Sequence, residues 1–409
     1  MEPRVHRSVA LAALLLPLAA CGGDAAAAGP VVRDSAGIRI VQNEAPAWTK
    51  GQEWRVAAEP VTDIGVAEGD PSQQFARVAD ALRLSDGTLL VGDDRVNEIR
   101  AFDAQGKYLR TVGRSGGGPG EFTHLFGMHL LPGDTVAAYD YQGKRLSFFD
   151  PSGALARTVT LREVNGTLPP RPIGIFSDGR VLVTPLYNPN FKDSAKPVRD
   201  TAVLAVFSAA GTQTASLGSV PGDETVTITG GTGNNRMMLR STPPFGLSTS
   251  FAVHGTRLLI GDPVRYELVE RRPDGAVTRL IRRGGQREPV TQADRDAYLK
   301  RQSEGMNDPR FRQLHEQMEK QTVFPEHKPF FTGLRMDAAG NAWVQRPATP
   351  DAETPWDVFD TEGRLLGTVA MPAGLRVTQI GADFVVGTWN DEMDVPHVRV
   401  HRIEKPAAR

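Results

Sequence analysis

One cadence recurs along this chain: four short β-prone runs, separated by glycine turns, with Asp closing the second run and Phe-Asp closing the third. Its clearest copy runs from Val78 through Asp86-Gly87, Leu89–Asp93, Asn97–Phe102-Asp103 and Gly106 to Gly113. Asp-Gly at 86–87 predicts a tight hairpin in which both turn residues take positive φ. Further copies carry their turn glycines at Gly133 and Gly153, Gly179 and Gly211, Gly255 and Gly275, and Gly340 and Gly363. The two glycines of a copy lie about 20 residues apart, except in the third, where an insertion after Tyr187 stretches the gap. A four-stranded unit of this size cannot bury its apolar face alone, so stacked copies form an array.

The last copy is incomplete. Val377–Ile380, Asp383–Gly387 and His397–Ile403 supply three strands before the chain ends, while a spare strand stands at the other end, in Trp54–Ile64. An N-terminal strand that completes the sixth unit closes a ring and removes the exposed edge. The expected fold is therefore all-β: a six-bladed β-propeller closed by an N-terminal strand, with a small helical insertion. An all-β sandwich with irregular loops is the competing arrangement.

The stretch Asp86-Gly87, Phe102-Asp103, Gly106, Val112-Gly113 and Gly118-Pro119-Gly120-Glu121-Phe122 resembles an NHL-type propeller repeat. With the opening Asp34–Val41 and six units, residues 34–404 are similar to bacterial lipoproteins built on a six-bladed β-propeller. The resemblance implies a fold and leaves the activity open, because propellers host binding and catalysis alike.

The first twenty residues have a basic start (Arg4, Arg7), a short apolar run (Ala10–Leu18) and Leu18-Ala19-Ala20-Cys21. That is the layout of a secretory signal, too short in its apolar part to anchor stably across a bilayer. The tetrapeptide resembles the lipobox of bacterial lipoproteins, which implies that Cys21 carries a covalent lipid and becomes the first mature residue. Cys21 is the only cysteine, so an intramolecular disulfide cannot explain it. Residues 21–33 read as a flexible tether. By the sorting rule of such lipoproteins, Gly22 in place of Asp points to the outer membrane, facing the periplasm or the cell surface. An ordinary signal peptide cleaved nearby, or a buried cysteine, is the alternative. A formal charge of −1 supplies no electrostatic reason for a nucleic-acid partner.

All long insertions (187–200, 219–246 and 284–330) fall between strands whose connections share one face of a propeller. Loops this long are uncommon unless functional or disordered. The helical insertion, about 288–322, opens with the capping-box pattern Thr291-Gln-Ala-Asp294. Asp308-Pro309 offers a second start, and Phe311, Leu314 and Met318 form an apolar stripe at helical spacing. The insertion is either a lid over the channel or a hairpin packed on the rim. Candidate ligand-binding residues on this face are Asp93, Arg95, Tyr141, Arg145, Asp262, Arg265, Arg346 and Asp391. Their mixed charges suit a polar ligand or simply solvate the rim. Tyr187–Phe191 and Phe324–Phe331 add aromatic rings suited to a sugar, a peptide or loop anchoring.

Signals of catalysis are sparse. No HExxH, Gly-x-Ser-x-Gly or phosphate-loop pattern occurs. His124, His129, His254, His327 and His397 come from different copies and leave a shared channel metal without a supporting motif. No cofactor other than the lipid is expected. The leading reading is a membrane-anchored scaffold that binds a ligand, protein, peptide or carbohydrate on the insertion-bearing face. The alternative is a propeller enzyme, a hydrolase, lactonase or lyase, with a metal in the channel.

Overall fold

A computed structural model describes residues 29–186, 193–230, 237–304, 316, 319–349 and 351–406. The chain is a six-bladed β-propeller. Six mainly antiparallel sheets begin with the inner strands Val78–Arg83, Leu125–Leu131, Pro170–Ile175, Ser250–His254, Gly333–Met336 and Arg376–Ile380. Each inner strand packs beside the next, and the sixth returns to the first, so the ring is closed. Apolar clusters fill the seams: Leu90, Ile99 and Phe122 pack with Met128 and Val136 between blades one and two. Leu259, Leu268 and Phe331 meet Val344 and Phe359 between blades four and five.

Closure follows the expectation for residues 54–64, although the segment forms two short strands, Arg55–Val56 and Thr62–Ile64. Both pair antiparallel with Pro396–Glu404, through Ile403 with Val56 and Val398 with Ile64. Asp63 accepts from Arg399 Nε at 2.9 Å and lies 2.7 Å from His397 Nδ1, while Ile64 is fully buried. Burial and edge pairing act together at this seam.

The Asp86-Gly87 turn has a different form from the one expected. Only Gly87 has positive φ, at 93°, and the turn closes through Leu84 N to Thr88 O at 2.8 Å. Asp86 keeps ordinary φ because its carboxylate accepts from Thr88 N at 2.8 Å, a local bond that sets the loop. The chain start also departs from expectation. Val31–Ser35 and Ile38–Asn43 form a hairpin whose second strand runs parallel to Val277–Arg283, the outer strand of blade four. Val31 lies inside the stretch expected to be tether, so the described chain is attached to the ring from that residue onward.

The insertions build outward from the face on which they fall. Blade three extends into an 18-residue strand, Gln213–Gly230, which pairs with Met237–Ser241. The helix Gln292–Glu304 starts as its capping pattern predicts. Asp294 accepts from Thr291 N at 2.9 Å, and Thr291 Oγ1 accepts from Asp294 N at 3.2 Å. Phe311, Leu314 and Met318 lie outside the described residues.

Candidate functional site at the channel mouth

The Asp that closes the second strand of a repeat has a local cause. Asp93 is buried and accepts from Ala76 N at 2.7 Å, Arg77 N at 3.2 Å and Arg95 N at 3.1 Å. Asp140 repeats the arrangement: it accepts from His124 N and Thr123 Oγ1, both at 2.9 Å. Each carboxylate ties the top of a second strand to the residues just before the inner strand of the same blade. Arg145 clamps the neighbouring glycine loop through the carbonyls of Gly117, Gly118 and Glu121, at 2.8–3.2 Å. The two carboxylates and the Nη groups of Arg145 are therefore engaged by neighbouring loops, while Arg145 Nε is buried without a partner.

The other candidates stand nearer to solvent. Arg95 and Arg265 are exposed. Tyr141 lies edge-on to His124 and tilted against Phe126, forming an aromatic patch over blade two. Asp262 pairs with Arg199 of blade three at 2.9 Å. Arg346 reaches Glu288 at 3.2 Å, and Asp391 accepts from Met393 N and Val395 N at 2.8 Å within its own loop. All eight sit on the insertion-bearing face, yet they circle it by blade and do not converge on one point.

Convergence occurs one step inward, on the inner strands. Asp80 of blade one accepts from Met128 N at 3.1 Å and feels the charges of Arg335 and Arg376 across the ring. Burial pushes its carboxyl up, against those two cations. Burial, and then the Arg335 charge, pull His129 of blade two down to about 4, so its imidazole is neutral near pH 7. Burial also lowers Arg335 and Arg171, opposed by Asp80 and Asp223 respectively. Water is displaced around these groups faster than partners are supplied.

Two clefts open beside the channel on this face. One, of about 660 Å³, lies over blades three and four and is lined by Arg171, Asp200, Asp223, Arg240 and a set of hydroxyls. The other, of about 590 Å³, lies over blades four to six and is lined by Phe251, Arg301, Arg335, Gln345 and Arg376 among others. The helix supplies Arg301, while Lys328, which holds Asp294 at 2.7 Å, lies over the Phe245 ring of the same cleft.

Residues 76–163, blades one and two, match a family described as a 6-bladed beta-propeller. No curated protein matches the chain. Among solved structures, the chain is similar to a member of an uncharacterised family from Bacteroides vulgatus, at 13% identity and a TM-score of 0.48. That alignment covers 87% of this chain and 100% of the other. It is also similar to a protein of Bacteroides fragilis described as exported, at 12% identity and a TM-score of 0.47, over 90% of this chain and all of that one. A gluconolactonase of Xanthomonas campestris aligns over 85% of this chain and 100% of its own length, at 10% identity and a TM-score of 0.40.

The histidines are dispersed. His129 faces the channel, His124 meets Tyr141, His397 meets Asp63, and His254 sits beside Gly340 at the opposite end of the blades. Among the described residues no three His, Cys, Asp or Glu side chains gather to hold a metal ion. Sequence reasoning passed over Asp80, Arg171, Arg335 and Arg376 as ordinary strand residues. A signal existed: each is a charged residue within the first strand of a copy, where neighbours are apolar.

Proposed function

We propose that this propeller is an exported lipoprotein, anchored through Cys21 at the outer membrane, which binds a small polar ligand on its insertion-bearing face. The observation that carries the reading is the pair of polar clefts beside the channel, 660 and 590 Å³, within the usual size of small-molecule sites. In this reading Asp93 and Arg145 hold the loops, while Arg95, Tyr141, Asp262, Arg265, Arg346 and Asp391 form the polar rim. The helical insertion acts as the lid, since Arg301 lines one cleft and Arg295 lies over Phe324 rather than inside the ring.

Two experiments test this. Cys21→Ser should leave a protein that no longer sediments with membranes, and retention after a high-salt wash would refute the anchor. Replacing residues 288–322 with a short Gly/Ser linker should keep the fold and change binding in a screen of sugars and peptides. Loop closure itself costs little extra. A replacement that unfolds the ring, or leaves every affinity unchanged, rules out the lid. The enzyme reading keeps one foothold, the neutral His129 imidazole on the inner strand of blade two. One tightly bound metal per purified chain would favour that reading.

A further inference from the structure

The two clefts differ in charge. Over blades three and four, Arg171 and Arg240 are met by Asp223 and Asp200, with Arg240 and Asp200 paired at 2.9 Å. Over blades four to six, the lining holds Arg301, Arg335 and Arg376 and, among the described residues, no Asp or Glu. Asp80, on the inner strand of blade one, interacts electrostatically with both Arg335 and Arg376.

The two inner arginines are prepared differently. Arg376 is held in place: Nε donates to Thr388 Oγ1 at 3.0 Å, and Nη2 donates to the carbonyls of Val78 and Ala79 at 2.9 and 3.0 Å. Those bonds orient the guanidinium and leave Nη1 unengaged among the described residues. Arg335 is half-buried and donates no hydrogen bond to any described residue. Its nitrogens keep some exposure towards the cleft, so an anion entering there can take up the hydrogen bonds that the protein does not supply. Trp356 lines the cleft, is 2% exposed, and its Nε1 is buried without a partner.

The remaining lining is neutral and hydroxyl-rich, with Thr332, Thr354 and Gln345 beside the ring of Phe251. Hydroxyls and a side-chain amide match a ligand that carries hydroxyls of its own, and an aromatic face matches the flat side of a ring. We propose that the cleft over blades four to six binds an acidic sugar, with its carboxylate on Arg335 and Arg376 and its ring hydroxyls on Thr332, Thr354 and Gln345. The inference rests on the binding reading above and adds the class of ligand.

Calorimetric titration of the full chain with D-glucuronate, glucose and acetate tests it, with tetraglutamate as a fourth arm. Glucuronate should bind at least tenfold more tightly than glucose, acetate or tetraglutamate. Arg335→Gln should remove at least tenfold of the glucuronate affinity and leave the glucose affinity and the melting temperature in place. Arg301→Gln, on the exposed helix, should weaken glucuronate about threefold and flatten its salt dependence. That second variant decides the matter should Arg335→Gln fail to fold. Equal binding of glucose and glucuronate would overturn the acid while leaving a sugar-binding propeller intact. Acetate or tetraglutamate binding as tightly as glucuronate would overturn the sugar. Binding of none of the four overturns the inference, and the lid replacement then judges the broader reading by itself.

Discussion

Two sectors of the channel mouth both carry charged side chains and use them in opposite ways. Over blades one and two, Asp93 and Asp140 accept from backbone groups of their own blades, and the Nη groups of Arg145 donate to carbonyls of the preceding glycine loop. Over blades four to six, Arg335 faces the channel with only the electrostatic reach of Asp80 to balance it. The difference shows that a charge at a propeller mouth is informative only through its partners. A carboxylate that receives two or three N–H groups is architecture, whereas a guanidinium without such bonds keeps its donors available to a ligand.

Asp140→Ala should show the largest effect on stability. It strands the His124 N–H and the Thr123 hydroxyl and removes a buried charge with its acceptors, which should cost about 3 kcal/mol in guanidinium unfolding. Arg335→Gln, by contrast, should stay within about 1 kcal/mol of the parent. Equal losses from the two variants would break the contrast between the sectors.

The next effect is a pH dependence of about 1–2 kcal/mol at His129, after allowing for channel water. Its folded value lies at about 4, below the ordinary 6.5, so the unfolded chain takes up a proton that the folded chain refuses. The stability is therefore complete above about pH 6.5 and declines as the pH falls towards 4. Asp80 acts with the opposite sign, since a carboxyl pushed up by burial is relieved by acid. Subtracting the profile of His129→Gln isolates the histidine. Superimposable profiles would mean that His129 is not held neutral.

The smallest effect belongs to Arg95→Ala. Its side chain is exposed, and only its backbone N–H serves Asp93, so stability should change by no more than about 0.5 kcal/mol. A loss comparable to that of Asp140→Ala would show that the rim over blade one is held by more than its backbone bonds.

Features that are periodic or local were legible in the order of residues. The turn glycines, the Asp at the end of a second strand, the spare strand at 54–64 and the Thr291–Asp294 cap all act within a few residues or at a fixed spacing. The turn at 84–88 shows the limit of even that: Asp-Gly marked its place, and the Asp86 carboxylate chose its form. The parallel pairing of Ile38–Asn43 with blade four had no signal, because strand addition at an outer edge follows from where the chain passes.

The sequence by itself determined six repeating units, the strand that closes them and the face that receives the insertions. Those properties arise from alternation of side chains along a strand and from turns that few residues can make. Only the tertiary structure decided which charges are paired. Asp93 and Asp140 find partners a short distance along the chain, but Asp80, Arg335 and Arg376 meet only when blade six closes on blade one. Desolvation and Coulomb energy depend on distance through space. The unpaired guanidinium at the channel mouth therefore exists only once the ring has formed.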